Sequence, residues 1–301
     1  MRKISFVIFM AVLVLLFIAG SLQIYASRKA EEKTKEILSA LGLEERARYK
    51  SVSYSLLKGT TEVEGLEVRT ESGKLWAKKL FITKLTDTDL ELRLERVRGD
   101  DRNFEEFEKN MKELGYRDVY LNTSLSVSLY EKEKRLFLRE FSVEVPSAFN
   151  VSLGFDLLGV DRKLIKELSE LEEDDREAVN ELAQRLKDVS LASFRLEFED
   201  RGFLERVIER EASRKGKRPE EVRKEILNQL RALEKGGEFE RSLFKSLKDL
   251  LEEGGTLKIV ANPQKPVSFE DLVVYSLMGL QSRDFSRLLR VLNLRAEHSK
   301  M

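Results

Sequence analysis

From Tyr49 to Leu157 apolar and polar residues alternate with a period of two, and this alternation constrains the fold more than any other feature of the chain. Successive side chains of a strand point to opposite faces, so such a run forms a sheet with one apolar side. Val52, Tyr54 and Leu56 open it, Lys58-Gly59 turns the chain, and Val63, Leu66 and Val68 follow, with Gly65 shifting the phase as a bulge does. Leu75, Ala77 and Phe81 alternate with Trp76, Leu80 and Ile82, which predicts a strand apolar on both faces and covered on both. Leu90, Leu92 and Leu94 interleave with charged residues. After a helix predicted from the cap Asn103, with Phe104, Phe107, Met111 and Leu114 on one stripe and Gly115 as its stop, the alternation resumes. Val119, Leu121, Leu125, Val127 and Leu129 share one face. Leu136 and Leu138, a phase shift, then Phe141, Val143 and Val145 make the next strand, and Phe149, Val151, Leu153, Phe155 and Leu157 the one after. About seven strands in sequence imply a long antiparallel sheet with one oily face.

Past Gly159 the period becomes helical. Leu164, Ile165, Leu168 and Leu171 form one stripe, and Ala178, Val179, Leu182 and Leu186 another. A strand at Val189 to Phe198 and a short one at Leu257 to Val260 are set among helices, one starting at Pro219, one carrying Leu243, Phe244, Leu247 and Leu251, one capped by Ser268 with Asp271, and a last one carrying Phe285, Leu288 and Leu289. The expected class is therefore α+β, an antiparallel β-meander over 48–158 with a helix-rich part, 159–301, packed on it. No Pro/Gly/Ser-rich linker separates the two, so they read as one ectodomain.

The N-terminus adds a location. Met1-Arg2-Lys3 precedes Ile4 to Ala26, a run without a charged side chain and long enough to cross about 30 Å of hydrocarbon as a helix. Residues 1–26 are expected to form a single transmembrane anchor and 27–47 a juxtamembrane helix. A cleaved signal peptide is the rival reading, because Ala19, Gly20, Ser21 and Ala26 suit a signal peptidase. The apolar stretch exceeds the usual core of ~7–15 residues, which favours the anchor. Basic residues flank both ends, Arg2 and Lys3 against Arg28, Lys29, Lys33 and Lys35, and the short leading segment favours an inner (cytoplasmic) membrane location with the ectodomain in the periplasm.

Composition removes several functions. With 54 basic and 54 acidic residues there is no net field to gather nucleic acid. There is no cysteine, hence no disulfide, thiol nucleophile or zinc-thiolate site. The one histidine, His298, lies near the end of the chain, where fraying is the default, and a lone histidine without cysteine excludes the common nucleophile triads and His-based zinc centres. The acidic clusters Asp87/Asp89, Asp100/Asp101 and Glu172 to Asp175 could supply a carboxylate pair, but in so acidic and basic a chain they read as solvated turns and caps. Lys215-Gly216-Lys217-Arg218 reads as an inter-helix turn. The triplets at Asn122 and Asn150 match the N-glycosylation pattern but fall in strands. No glycine-rich phosphate loop occurs. We therefore assign no catalytic, cofactor-binding or metal residue and expect no cofactor. The 36% charged content resembles that of proteins from hot-living organisms.

Leu57-Lys58-Gly59-Thr60-Thr61-Glu62-Val63-Glu64-Gly65-Leu66-Glu67-Val68, followed by Gly73-Lys74-Leu75-Trp76-Ala77-Lys78-Lys79-Leu80, resembles the start of AsmA-like envelope proteins. The resemblance covers the anchor and about fifty residues beyond it. It implies a role in lipid movement between membranes or in outer-envelope biogenesis along an apolar β groove. The expected function is thus a non-enzymatic, membrane-anchored envelope protein that binds or passes lipid along its sheet, with membrane lipid and an envelope protein as partners. A structural or assembly subunit of a membrane complex is the second reading, and an exported hydrolase with a carboxylate site the third.

Overall fold

The computed structural model describes residues 29–32, 34, 35, 38, 45–86, 88–169, 181, 182, 184–282 and 284–300. The chain forms two compact units. One ends at Leu85 and takes in Glu91–Lys109, and the other comprises Thr86–Leu90 and everything from Asn110 onward.

In the first unit β1 (Ala47–Arg48) and β2 (Ser51–Ser55) both pair with β3 (Thr60–Arg69), β3 pairs with β4 (Lys74–Leu85), and β5 (Asp89–Gly99) follows β4. Val63 faces Leu80 and Leu66 faces Ala77 in register. These four and Ile82 make a buried core, with Val52, Val68, Leu92 and Leu94 packed against it. Val63 and Leu66 lie three residues apart yet share a face, as the expected phase shift requires, and Gly65 between them holds φ at +61°. An L-residue pays a steric cost in that region that glycine avoids. β4 departs from expectation: Ala77, Leu80 and Ile82 are buried while Trp76 on the other side is exposed, so one face is covered rather than two.

The helix α1 (Arg102–Glu113) begins differently from its sequence signature. Asp101, not Asn103, is the cap: its carboxylate accepts from the Asn103 backbone N–H at 3.0 Å, from Thr70 Oγ1 at 2.7 Å, and from Ser72 Oγ. Asp also leads Asn in position here because it closes the neighbouring turn at the same time. The Ser72 and Thr70 hydroxyls, then the Asn103 amide, hold its carboxyl below the ordinary carboxylate range. A depressed folded pKa stabilises above the unfolded value of about 3.9 and is lost as pH falls through the folded value. Hydrogen exchange of the Thr70–Gly73 turn is accordingly expected to be slow at neutral pH and to lose protection below about pH 4, whereas Asp101→Asn should show no such step.

The second unit is an up-and-down antiparallel sheet in the order β6 (Leu121–Tyr130), β7 (Arg135–Val145), β8 (Phe149–Leu158), β9 (Ser190–Asp200), β10 (Gly255–Ala261) and β12 (Leu294–Ser299), with β11 (Val267–Ser268) also on β9. Helices fill the connections. α2 (Arg162–Ser169) lies between β8 and β9; α3 (Phe203–Lys215), α4 (Pro219–Leu230) and α5 (Glu238–Glu253) lie between β9 and β10; α6 (Phe269–Ser282) and α7 (Ser286–Val291) precede β12. Pro219 opens α4, and Ser268 Oγ accepts from the Asp271 N–H at 3.0 Å, as the sequence signals predict.

The expected architecture of a transmembrane helix, a meander and a helix-rich C-terminal half packed on it is overturned. Among the described residues there are twelve strands, and the C-terminal half supplies β9–β12 to the sheet as well as its helices. The reason is that Phe194, Leu196 and Phe198 in β9 and Leu257 and Ile259 in β10 continue the apolar alternation of β8, so ladder pairing extends the sheet instead of ending it. Among the described residues no helix is long and apolar enough to cross a membrane. The run from Ile4 to Ala26, most of 27–47, Asp87, and Glu172 to Asp175 lie outside the described residues.

Candidate functional site

Register places a continuous apolar surface on one side of the second sheet. Val143, Val151, Phe198 and Leu257 stand side by side, as do Phe141, Leu153, Leu196, Ile259 and Ala296, and Leu138, Phe155, Phe194, Ala261 and Leu294. Leu125 and Val127 extend two of these rows into β6. At about 4.8 Å per strand interval, the six strands from β6 to β12 span roughly 24 Å. The expected phase shift between Leu138 and Phe141 is a bulge, and it keeps both residues on this side. Gly154 lies across from it, and a Cβ there would come within 3.0 Å of the Arg139 carbonyl oxygen.

The opposite side is polar in every row. Ser124 and Ser142 share a 2.6 Å hydrogen bond. Arg135 grips Asp156 through two hydrogen bonds of 2.7 and 2.6 Å, and Lys258 pairs with Glu197 at 3.4 Å. Arg201 pairs with Glu199 at 2.8 Å and Glu144 at 2.5 Å, and these two carboxylates raise its pKa well beyond the ordinary guanidinium value. Charged networks suit water, so one side of the sheet is solvated by design.

The apolar side is closed at its ends, α5 packs along β12 and β10, where Ala261 and Ala296 are buried, Leu138 is buried as well, and the remaining middle of the face is only partly covered. At one end Phe203 of α3 meets Phe149 edge-on at 5.0 Å, and Val145 and Ala148 are buried. At the other end Leu164 of α2 belongs to a buried cluster that takes in Leu136 and Leu157. Between these ends Leu125, Val127, Val151, Leu153, Phe155, Phe194, Leu196, Phe198, Leu257 and Ile259 are all only half-buried, and Phe141 is 42% exposed. In the first unit the equivalent strand residues Val63, Leu66 and Leu80 are sealed at 0–7% exposure. Rows of Phe and Leu left in this state form an apolar surface with no charged group in its middle, which suits acyl or other aliphatic chains and offers no acid, base or nucleophile.

The polar candidates read from the sequence fall elsewhere. His298 does not fray: it sits in β12, and its Nε2 lies 2.7 Å from the Gly254 carbonyl oxygen. Gly255 permits the close approach, since its φ is +98° and a Cβ would meet the Ser299 oxygen at 2.4 Å. Asp89 accepts from Ser128 Oγ and pairs with Arg139 at 3.5 Å, and Asp100 and Asp101 close turns. In the basic knot Lys215 and Lys217 both pair with Glu225, and Arg218 with Glu221. Asn122 donates to Glu144 at 2.8 Å from within β6. Among the described residues no group of three His, Asp or Glu could hold a metal ion. What the sequence reading missed is the share of β9, β10 and β12 in the apolar face. The signal was present in Phe194/Leu196/Phe198, and faintly in Leu294/Ala296 between Arg295 and Glu297.

A protein of Aquifex aeolicus (strain VF5) described as uncharacterized is 28% identical to this chain over 269 residues, which cover 88% of this chain and 90% of the relative. Residues 142–299, more than half of the chain and most of the open sheet, match a family model described as "Uncharacterized protein", and the chain belongs to that family.

Proposed function

We propose that this protein binds the aliphatic chains of membrane lipid on the partly covered apolar face of β6–β10 and β12, and acts by holding or passing lipid rather than by catalysis. The observation that carries this reading is the half-buried state of the central rows, Leu153–Leu196–Ile259 above all, on a sheet whose other side is mostly polar, with Phe137 and Val260 as its apolar members. Burying such side chains gains roughly 25 cal/mol per Å² of apolar surface, and an aliphatic ligand supplies that cover without requiring a hydrogen-bond partner. The uncharged run from Ile4 to Ala26 and the resemblance of Leu57–Leu80 to AsmA-like proteins support a place at an envelope membrane.

Mass spectrometry of the full chain, extracted gently from its membrane fraction, is expected to find co-purified phospholipid. Leu196→Glu puts a charge in the centre of the face and is expected to reduce bound lipid about tenfold, because a buried unpaired carboxylate costs several kcal/mol. Leu196→Met should retain it. Wild-type protein that is folded by circular dichroism and carries no lipid would overturn the proposal.

A further inference from the structure

We infer that α6 is an in-plane membrane-contact helix, seated in the interfacial layer of a bilayer. The inference rests on a surface separate from the open sheet face. Phe269, Val273, Val274, Leu277, Met278 and Leu280 of α6 are 44–67% exposed. At 100° per residue Phe269, Val273, Leu277 and Leu280 form one stripe, and Val274 and Met278 lie beside it, so about half of the circumference is bare and apolar.

The inward side of α6 is apolar too. Gly279 is buried with the Phe285 ring packed so close that a Cβ there would meet it at 2.5 Å, and Leu272 and Tyr275 are half-buried. Past Glu270 and Asp271 in its first turn the helix is apolar on most of its circumference, which belongs in a protein core or in lipid, and this one lies at the surface of its unit. From Leu272 to Ser282 it carries no charge.

Length decides how it meets the bilayer. Fourteen residues extend about 21 Å, short of the roughly 20 residues needed to span, so the helix lies flat. Its rim is equipped for that position. The Arg287 guanidinium lies 4.7 Å from the Tyr275 ring centroid, Arg290 follows one turn later, and Glu270, Asp271 and Asp284 are exposed beside them, placing charges of both signs and a phenol at headgroup level, as a zwitterionic surface accepts. Lys265 precedes the helix. The bare patch, on the order of 600 Å² at about 150–200 Å² per large side chain, reaches the upper end of the largest patches that monomers leave open, which are often functional. It falls short of the roughly 800 Å² per partner of a stable dimer. A bilayer needs no matching partner surface.

The absence of cysteine makes the test clean. Leu280→Cys and, as control, the exposed Glu209→Cys on α3 are each labelled with a nitrobenzoxadiazole dye in the full chain, which is reconstituted with vesicles of phosphatidylethanolamine and phosphatidylglycerol. The dye at 280 is expected to shift to the blue, to be quenched by lipid-borne nitroxide, and to lose about tenfold in iodide quenching, while the dye at 209 stays wet. Adding Val273→Glu and Leu277→Glu should return iodide access at 280. Vesicle-bound protein whose dye at 280 stays accessible to iodide would overturn the inference, as would protection that appears on concentrating the protein without vesicles. The readout is local to α6, so it stands or falls independently of lipid bound on the sheet.

Discussion

Gly159→Ala is expected to destabilise the second unit by about 2–5 kcal/mol, among the largest effects of any single added methyl in this chain. Gly159 leaves β8 at φ +83°, a region that costs an L-residue about 1–2 kcal/mol. The added Cβ would also sit 2.1 Å from the Asp188 carbonyl oxygen and 3.2 Å from the Val189 Cα. Those are backbone atoms and have no rotamer with which to yield. Moving them displaces Val189, which is buried with Val160 and Leu164 in the cluster that closes one end of the apolar face. Urea unfolding followed by far-UV circular dichroism should show the loss as a lower midpoint. A change under 1 kcal/mol would mean that the turn relaxes, and that the closed end of the face is softer than its packing indicates.

Val63→Asp is expected to cost more than about 4 kcal/mol and to abolish folding of the first unit, whereas Val63→Ala should cost about 2. Val63 is 0% exposed in a core of five residues, opposite Leu80, and the core offers a carboxylate no cation or donor. Trp76 is the one tryptophan of the chain and lies on β4 of this same unit, half in solvent. Its emission therefore reads this unit alone. Native-like Trp76 emission in the Asp variant would contradict the sealed core.

The contrast between Val63 and Leu196 shows what alternation reveals and what it conceals. Both stand in strands expected from sequence, and the alternation on β2–β8 was legible with its phase changes at Gly65 and between Leu138 and Phe141, while the share of β9 in the apolar face was not. A period states which side chains share a face. It is silent on what lies above that face, because cover comes from distant segments. Leu80 and Ala77 seal Val63 with their neighbours, while the segments flanking β8 and β9 close the face only at the strand ends, above and below the row that holds Leu196. The terminal strand escaped for a different reason. Leu294, Ala296 and His298 are a weak apolar series, and what makes them a strand is pairing with Leu257, Ile259 and Ala261, a contact with no local sequence mark. The cap of α1 followed the same logic: Asn103 matched the local signature, and Asp101 won because it also binds Thr70 and Ser72 from another turn.

The long helical insertion between β9 and β10 has a kinetic meaning. These strands are direct neighbours, from Gly255 opposite Asp200 to Ala261 opposite Phe194, yet three helices separate them along the chain. Closing so long a loop is entropically costly and slows pairing. The insertion carries its own cluster, Ile208, Ala212 and Val222 with Ile226 and Leu251. If the hairpin of α3 and α4 collapses first, the ends of β9 and β10 are brought within a short search of each other. The half of the apolar face that lies on β10 and β12 then forms last, as a product of helix docking, and lesions in that helical cluster should delay its assembly before they weaken it.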